Sequence, residues 1–259
     1  VAARSAAVAL LCCLGAGAAG AASSLRLPEP TVFGELSAAT LDPEGVPLGP
    51  ARFVVARDPL GRVVLESESA IEGQESVRLY ALLEPAEPGG ALRPIEQRAR
   101  TLGPDGGLLA EMAIDHESGR ASCASEGSEE VIALPEGDRV ANVPINLLLL
   151  PLARGEVEEL EFQALVCRGG PRLLDVSARR TGRVVRPDAG TEAIEIEYAV
   201  ELNPILASIA RPFLPRILFW IDPGAAPDPW VAHQMPLYPK GPTVFVVRRE
   251  LAPEAFLSR

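Results

Sequence analysis

The stretch AIEIEYAVEL, residues 193–202, alternates strictly. Ile194, Ile196, Tyr198, Val200 and Leu202 fall on one side, with Glu195, Glu197 and Glu201 on the other. A strand turns successive side chains to opposite faces, so a period of two over this length reads as a half-buried β-strand with a solvated outer face. A helix would need its apolar positions three and four residues apart.

The alternation recurs on either side. In residues 157–167, Leu160, Phe162, Ala164 and Val166 oppose Glu159, Glu161 and Gln163. Val244 to Arg249 reads as a third strand. Residues 52–67 read as a hairpin, with FVVAR and RVVLE joined through Asp58-Pro59-Leu60-Gly61. Pro presets the φ of such a turn, and Gly tolerates the positive φ that closes it. Residues 107–124 read as another hairpin, turning at Glu117-Ser118-Gly119. From residue 51 onward Gly, Pro, Asp and Asn punctuate the apolar runs every ~8–12 residues, the texture of an antiparallel β domain. Residues 51–259 are therefore expected to form one antiparallel, mainly β domain with one or two short helices.

Two segments depart from this texture. Asn142 to Leu152 (NVPINLLLLPL) is too apolar for a surface loop, and fits a buried helix or a buried strand equally. In 203–214 (NPILASIARPFL), Asn203 suits an N-cap and Pro204 the first helical position. Ile205, Ile209 and Phe213 then fall on one face of a short helix that Pro212 limits to about two turns.

The first 22 residues predict a signal peptide. Arg4 supplies a positive start, Ala6 to Leu14 an apolar run, and Ala16-Gly17-Ala18 or Ala19-Gly20-Ala21 a small-residue cleavage site. The run is too short to span a bilayer, so no transmembrane span is expected after cleavage. Leu11 before Cys12 and Cys12 before Cys13 do not make a lipobox, which wants a small residue there. The expected location is the periplasm of a Gram-negative bacterium. Residues 23–50, with five prolines, read as a partly ordered N-terminal extension. Cys123 and Cys167 remain in the exported chain. An oxidising compartment favours a disulfide between them, though two buried thiols fit the spacing as well.

Composition narrows the function. Asp and Glu number 35 against 24 Lys and Arg, a net charge of −11, which argues against nucleic acid as partner. Lys240 is the only lysine, a bias of high-GC genomes that weakens any inference from Arg abundance. Two His and four Cys are too few for a zinc or iron–sulfur framework, and no cofactor is expected. No G-x-S-x-G, S-x-x-K or phosphate-loop motif occurs. His116, between Asp115 and Glu117, reads as a polar hairpin tip rather than a general base. His233 reads as a packed or solvated residue on the face opposite Trp230 rather than as a ligand. The balance leans away from an enzyme.

The C-terminal third has a particular order. The acidic strand is followed by NPILASIARPFLP, then by RILFWID with Phe219, Trp220 and Asp222, then by WVAHQMPLYPKGPTVFVVRREL with its turn at Leu237 to Pro242. Val143 to Leu150 would join two halves of a sheet. Over residues 75–250 this resembles exported bacterial proteins of unknown function with an antiparallel half-barrel, distantly like periplasmic lipoprotein carriers of the Lol type. The resemblance implies a curved sheet, a half-barrel or open barrel, and by analogy a lipid or lipoprotein ligand. It implies no catalytic residues. On such a sheet Leu147, Leu149, Ile205, Ile209, Phe213, Phe219 and Trp220 are the candidate residues lining an apolar site. The leading expectation is a binder of a lipid, acyl chain or other apolar envelope ligand. The alternative is an envelope scaffold with a solid core that recognises a protein partner, and a hydrolase comes third.

Overall fold

The computed structural model describes residues 25–30, 32–86, 91–125, 127–167, 169–201, 216–238 and 241–257. Their strands are β1 (Leu27–Pro28), β2 (Gly34–Leu41), β3 (Pro47–Arg57), β4 (Val63–Ala70), β5 (Ser76–Pro85), β6 (Ala91–Leu102), β7 (Leu108–Asp115), β8 (Arg120–Ser125) and β9 (Ser128–Ala133). After helix α1 (Ile145–Arg154) come β10 (Glu159–Val166), β11 (Arg172–Val185), β12 (Ala193–Val200), β13 (Ile217–Ile221), β14 (Trp230–Pro236) and β15 (Thr243–Arg248). A short helix, α2 (Glu254–Leu257), follows. The 15 strands make one open, curved antiparallel sheet. The hairpins expected at 52–67 and 107–124 are β3–β4 and β7–β8, and β12 holds the stretch from which the fold was read.

The chain enters the sheet in the middle and runs outward from β2 to the edge at β9. It then crosses to the opposite edge at β10 and works back until β15 pairs with β2. Residues 23–50 therefore differ from the expected extension, because they supply β1, β2 and the start of β3. Two features hid this. Prolines fall among these strands, Pro28 ending β1 and Pro47 opening β3 opposite Leu41 where the register shifts. The buried positions of β2 include Ala38 and Thr40, too small or polar to mark a period of two.

Both edges of the sheet meet at a seam. Val140 bridges Gln163 of β10 in parallel, and Asn142 pairs its side-chain amide with both backbone groups of Leu165, at 2.9 and 2.8 Å. Gln97 of β6 holds the same strap from the other side, accepting from the amides of Asn142 and Val143 at 2.7 and 2.9 Å. A disulfide between Cys123 of β8 and Cys167 just beyond β10 ties the two edges covalently.

The segment 142–152 resolves as a strap ending in a helix. Leu147 to Leu150, Leu152 and Ala153 of α1 are all buried. A helix apolar on every side belongs inside, and α1 packs against β1 and β10 to β13. It ends at Gly155, whose φ of 73° is the left-handed conformation glycine adopts without strain. The helix fills one end of the curved sheet, where Val55, Val63, Ala81, Leu83, Ile194, Ile196 and Ile221 meet it.

A second core lies on the convex face. Trp220, Phe245 and Phe256 make edge-on and tilted ring contacts, with Leu41, Leu218 and Val247 around them. This corrects the solvated outer face expected for β12 at its first glutamate, while Glu197 stays part-exposed and Glu201 exposed. Glu195 is 4% exposed, bonded to Thr181 and paired with Arg183 at 3.1 Å. Arg183 also donates to the carbonyls of Ala255 and Phe256, so α2 covers this face. No described helix is long and apolar enough to cross a membrane.

Candidate functional site

The end of the sheet that α1 leaves open borders a half-open cavity of about 510 Å³. Strand alternation builds its walls. Phe53 of β3, Leu79 of β5, Ala99 of β6 and Met112 of β7 face it from one side. Tyr198, Ile217, Phe219, Met235 and Val244 face it from the other. The N-terminal turn of α1, with Pro144, Ile145 and Asn146, adds to the lining, and the disulfide seam reaches it through Leu165, Val166 and Cys167. Among the described lining residues there is neither Lys nor Arg.

The polar groups gather around Trp230, whose ring stacks on Phe53 at 3.9 Å between centroids. Its backbone N–H donates to Asp228 Oδ1 at 2.8 Å, and its indole N–H donates to His233 Nδ1 at 3.1 Å. Asp228 also accepts from the Asn146 side chain. Arg248, itself buried, donates to the backbone carbonyls of Trp230 and Asp228. Burial pushes the Asp228 carboxyl up to about 6, against the backbone amide of Trp230 and the charge of Arg248, which lower it. Burial holds His233 down to about 4, so its ring is neutral at pH 7. Because Nδ1 accepts, the ring proton sits on Nε2. Burial also raises the Tyr198 hydroxyl above its ordinary value.

The expected site residues divide. Phe219 lines the cavity. Trp220, next in a strand, faces the convex core and is 1% exposed. Leu147 and Leu149 pack in the filled end and do not reach the cavity. Ile205, Ile209 and Phe213, with the helix expected over 203–214, lie outside the described residues. Sequence reasoning had Tyr198 on the correct face but missed Asp228, which precedes β14 in a turn and belongs to no periodic pattern.

Both histidines need correction. His233 shares a face with Trp230, because Val231 is an extra residue: Trp220 pairs with Ala232 but Ile221 with Trp230. Such a bulge shifts the alternation by one. His116 is 0% exposed rather than at an exposed tip. Asp115 makes the turn instead, accepting from the amides of Glu117 and Ser118. His116 Nδ1 lies 3.0 Å from Asp138, and Gln97 donates to its Nε2 at 2.7 Å and to the Val140 carbonyl. Both ring nitrogens are thus used in pinning the strap. No group of three or more described His, Cys, Asp or Glu is placed to hold a metal.

No protein-family model matches the chain. No curated protein matches it. Among solved structures the chain is similar to a β-barrel-like protein of the domain of unknown function DUF1849 from Brucella abortus, with 12% identity, a TM-score of 0.49, and coverage of 84% of this chain and 95% of that one.

Proposed function

We propose that this is an exported periplasmic protein that holds an apolar molecule, a lipid or acyl chain, inside its curved sheet. The observation that carries the reading is the cavity of about 510 Å³ walled by Phe53, Leu79, Met112, Phe219 and Met235. Ligand sites commonly fall in the range of about 300–1,000 Å³ and are mostly apolar with a few convergent polar groups. The signal-like residues 1–22 and the Cys123–Cys167 disulfide support export to an oxidising compartment. An acyl chain borne by a lipoprotein falls within the same class of occupant.

The test is Ala99→Phe. Ala99 lines the cavity between Leu79 and Met112, its partners in the neighbouring strands, so a phenyl ring there takes up cavity volume. Native mass spectrometry should find an apolar mass retained or taken up by the wild type and lost in the variant, with circular dichroism unchanged. Equal uptake by both proteins would place the bound molecule elsewhere.

A further inference from the structure

We propose that the cavity selects an apolar chain ending in a neutral hydroxyl and discriminates against a free carboxylate. The inference rests on the cavity being a ligand site and adds the chemistry of the ligand's polar end.

The lining decides against an anion. No described lining side chain is Lys or Arg. Glu66 and Glu111 touch the cavity wall, but alternation turns their side chains to the outer face, where Glu111 is paired with Arg100 and Arg98. A carboxylate buried here would find no cation among the described lining side chains to offset its desolvation, which costs several kcal/mol in a low-dielectric site, and Arg248 beside the cluster is already engaged by the carbonyls of Trp230 and Asp228. It would also meet Asp228, the one buried carboxylate in the lining. Laurate and related fatty acids are thus poor occupants of a cavity whose walls suit their tails.

The same groups favour an alcohol. His233 and Asp228 both line the cavity and are both bonded to Trp230, one through its indole and one through its backbone. His233 offers an Nε2–H donor, because its Nδ1 is already an acceptor. Asp228 accepts from Trp230 and Asn146 and has acceptor capacity left, since a carboxylate provides about four lone-pair sites. A hydroxyl oxygen can accept from Nε2–H while its proton goes to Asp228. An ammonium satisfies Asp228 but turns N–H groups toward the Nε2–H donor. A carboxylate satisfies His233 but opposes Asp228. Of the three heads, only the hydroxyl matches both groups.

The experiment compares lauryl alcohol, laurate and laurylamine, which share one tail, by competition against a neutral environment-sensitive dye at pH 8. The wild type should bind the alcohol at least about tenfold more tightly than laurate, the difference that an unpaired buried charge readily imposes. Asp228→Asn keeps an acceptor for Trp230 and removes the charge, so it should narrow that ratio. His233→Gln keeps an acceptor for the indole and should weaken the alcohol more than the amine. Laurate binding as tightly as the alcohol to the wild type, or laurylamine binding more tightly than the alcohol, would overturn the selectivity while leaving the cavity as a ligand site. Binding of none of the three would overturn the ligand site itself.

Discussion

The filled end and the hollow end of this sheet are built from the same strands. Val63 and Leu65 of β4 run into the core while Ser67 and Ser69, on the same face, reach the cavity. In β5, Ala81 and Leu83 are core residues, whereas Val77 and Leu79 line the cavity. Ile194 and Ile196 of β12 lead to Tyr198 in the same way. Alternation is continuous across the two ends, so it specifies a face and not what covers that face. The difference comes from α1, which supplies Leu147 to Leu150 and Leu152 at one end only. A sheet this curved cannot bring its opposing walls together along its whole length. Where no helix intervenes, the space left over is the cavity.

The largest effect is expected at the seam, which keeps both ends from spreading. The Cys123–Cys167 disulfide closes a loop with a sequence separation of 44. Replacing both cysteines by Ser should cost about 4 kcal/mol in the chain-entropy view. The loss should be local in character, because Cys167 lines the hollow end whereas the leucines of α1 pack in the filled end. Hydrogen exchange should therefore quicken first in β8 to β10 and last in β12 and β13. Uniform acceleration would mean that the filled and hollow ends open as one unit.

Single side chains at the two ends sharpen the comparison directly. Leu149 is 0% exposed within the filled end. Leu149→Ala should cost about 2–5 kcal/mol, the transfer of the lost atoms plus the cavity they leave. Met235 lines the hollow end and is only half-buried. Met235→Ala removes atoms that already face empty space, so its cost should fall below about 1.5 kcal/mol. Urea denaturation of the two variants reads the difference. Equal losses would show that the hollow end is packed in solution.

The same contrast explains what could be read from the sequence. The strands with large alternating residues, such as β12 and β10, were legible because each side chain reports its own face. β2 was not, since Ala38, Ala39 and Thr40 carry little hydrophobic contrast. The helical state of Ile145–Arg154 was undecidable from an apolar run that has no polar face. Phe219 and Trp220 were both marked as apolar site residues, although adjacent residues in a strand must diverge. Alternation also could not announce that the outward one would meet α2. The polar part of the cavity was the least legible. It depends on a bulge at Val231 and on an aspartate from a turn, and both are set by tertiary contacts to Trp230 and Arg248.

The smallest expected effect tests whether that polar cluster is as enclosed as the filled core. In the native protein burial raises Asp228 from 3.8 to about 6 and lowers His233 from 6.5 to about 4. Between those limits native Asp228 holds a proton that the unfolded chain has released, so its contribution makes stability fall as pH rises. Native His233 lacks a proton that the unfolded chain holds, so its contribution makes stability rise with pH. Each slope approaches about 1.4 kcal/mol per pH unit, and in the wild type they oppose across nearly the same window. Asp228→Asn should leave the His233 slope uncovered, giving stability that increases from about pH 4 to 6 relative to the wild type. His233→Gln should do the reverse, giving stability that decreases from about pH 4 to 6.5 relative to the wild type. Carboxylates elsewhere titrate alike in all three proteins, so urea midpoints compared pH by pH isolate the pair. Three parallel profiles would mean that water reaches Asp228 and His233 freely, and the hollow end would then be an open groove rather than an enclosed site.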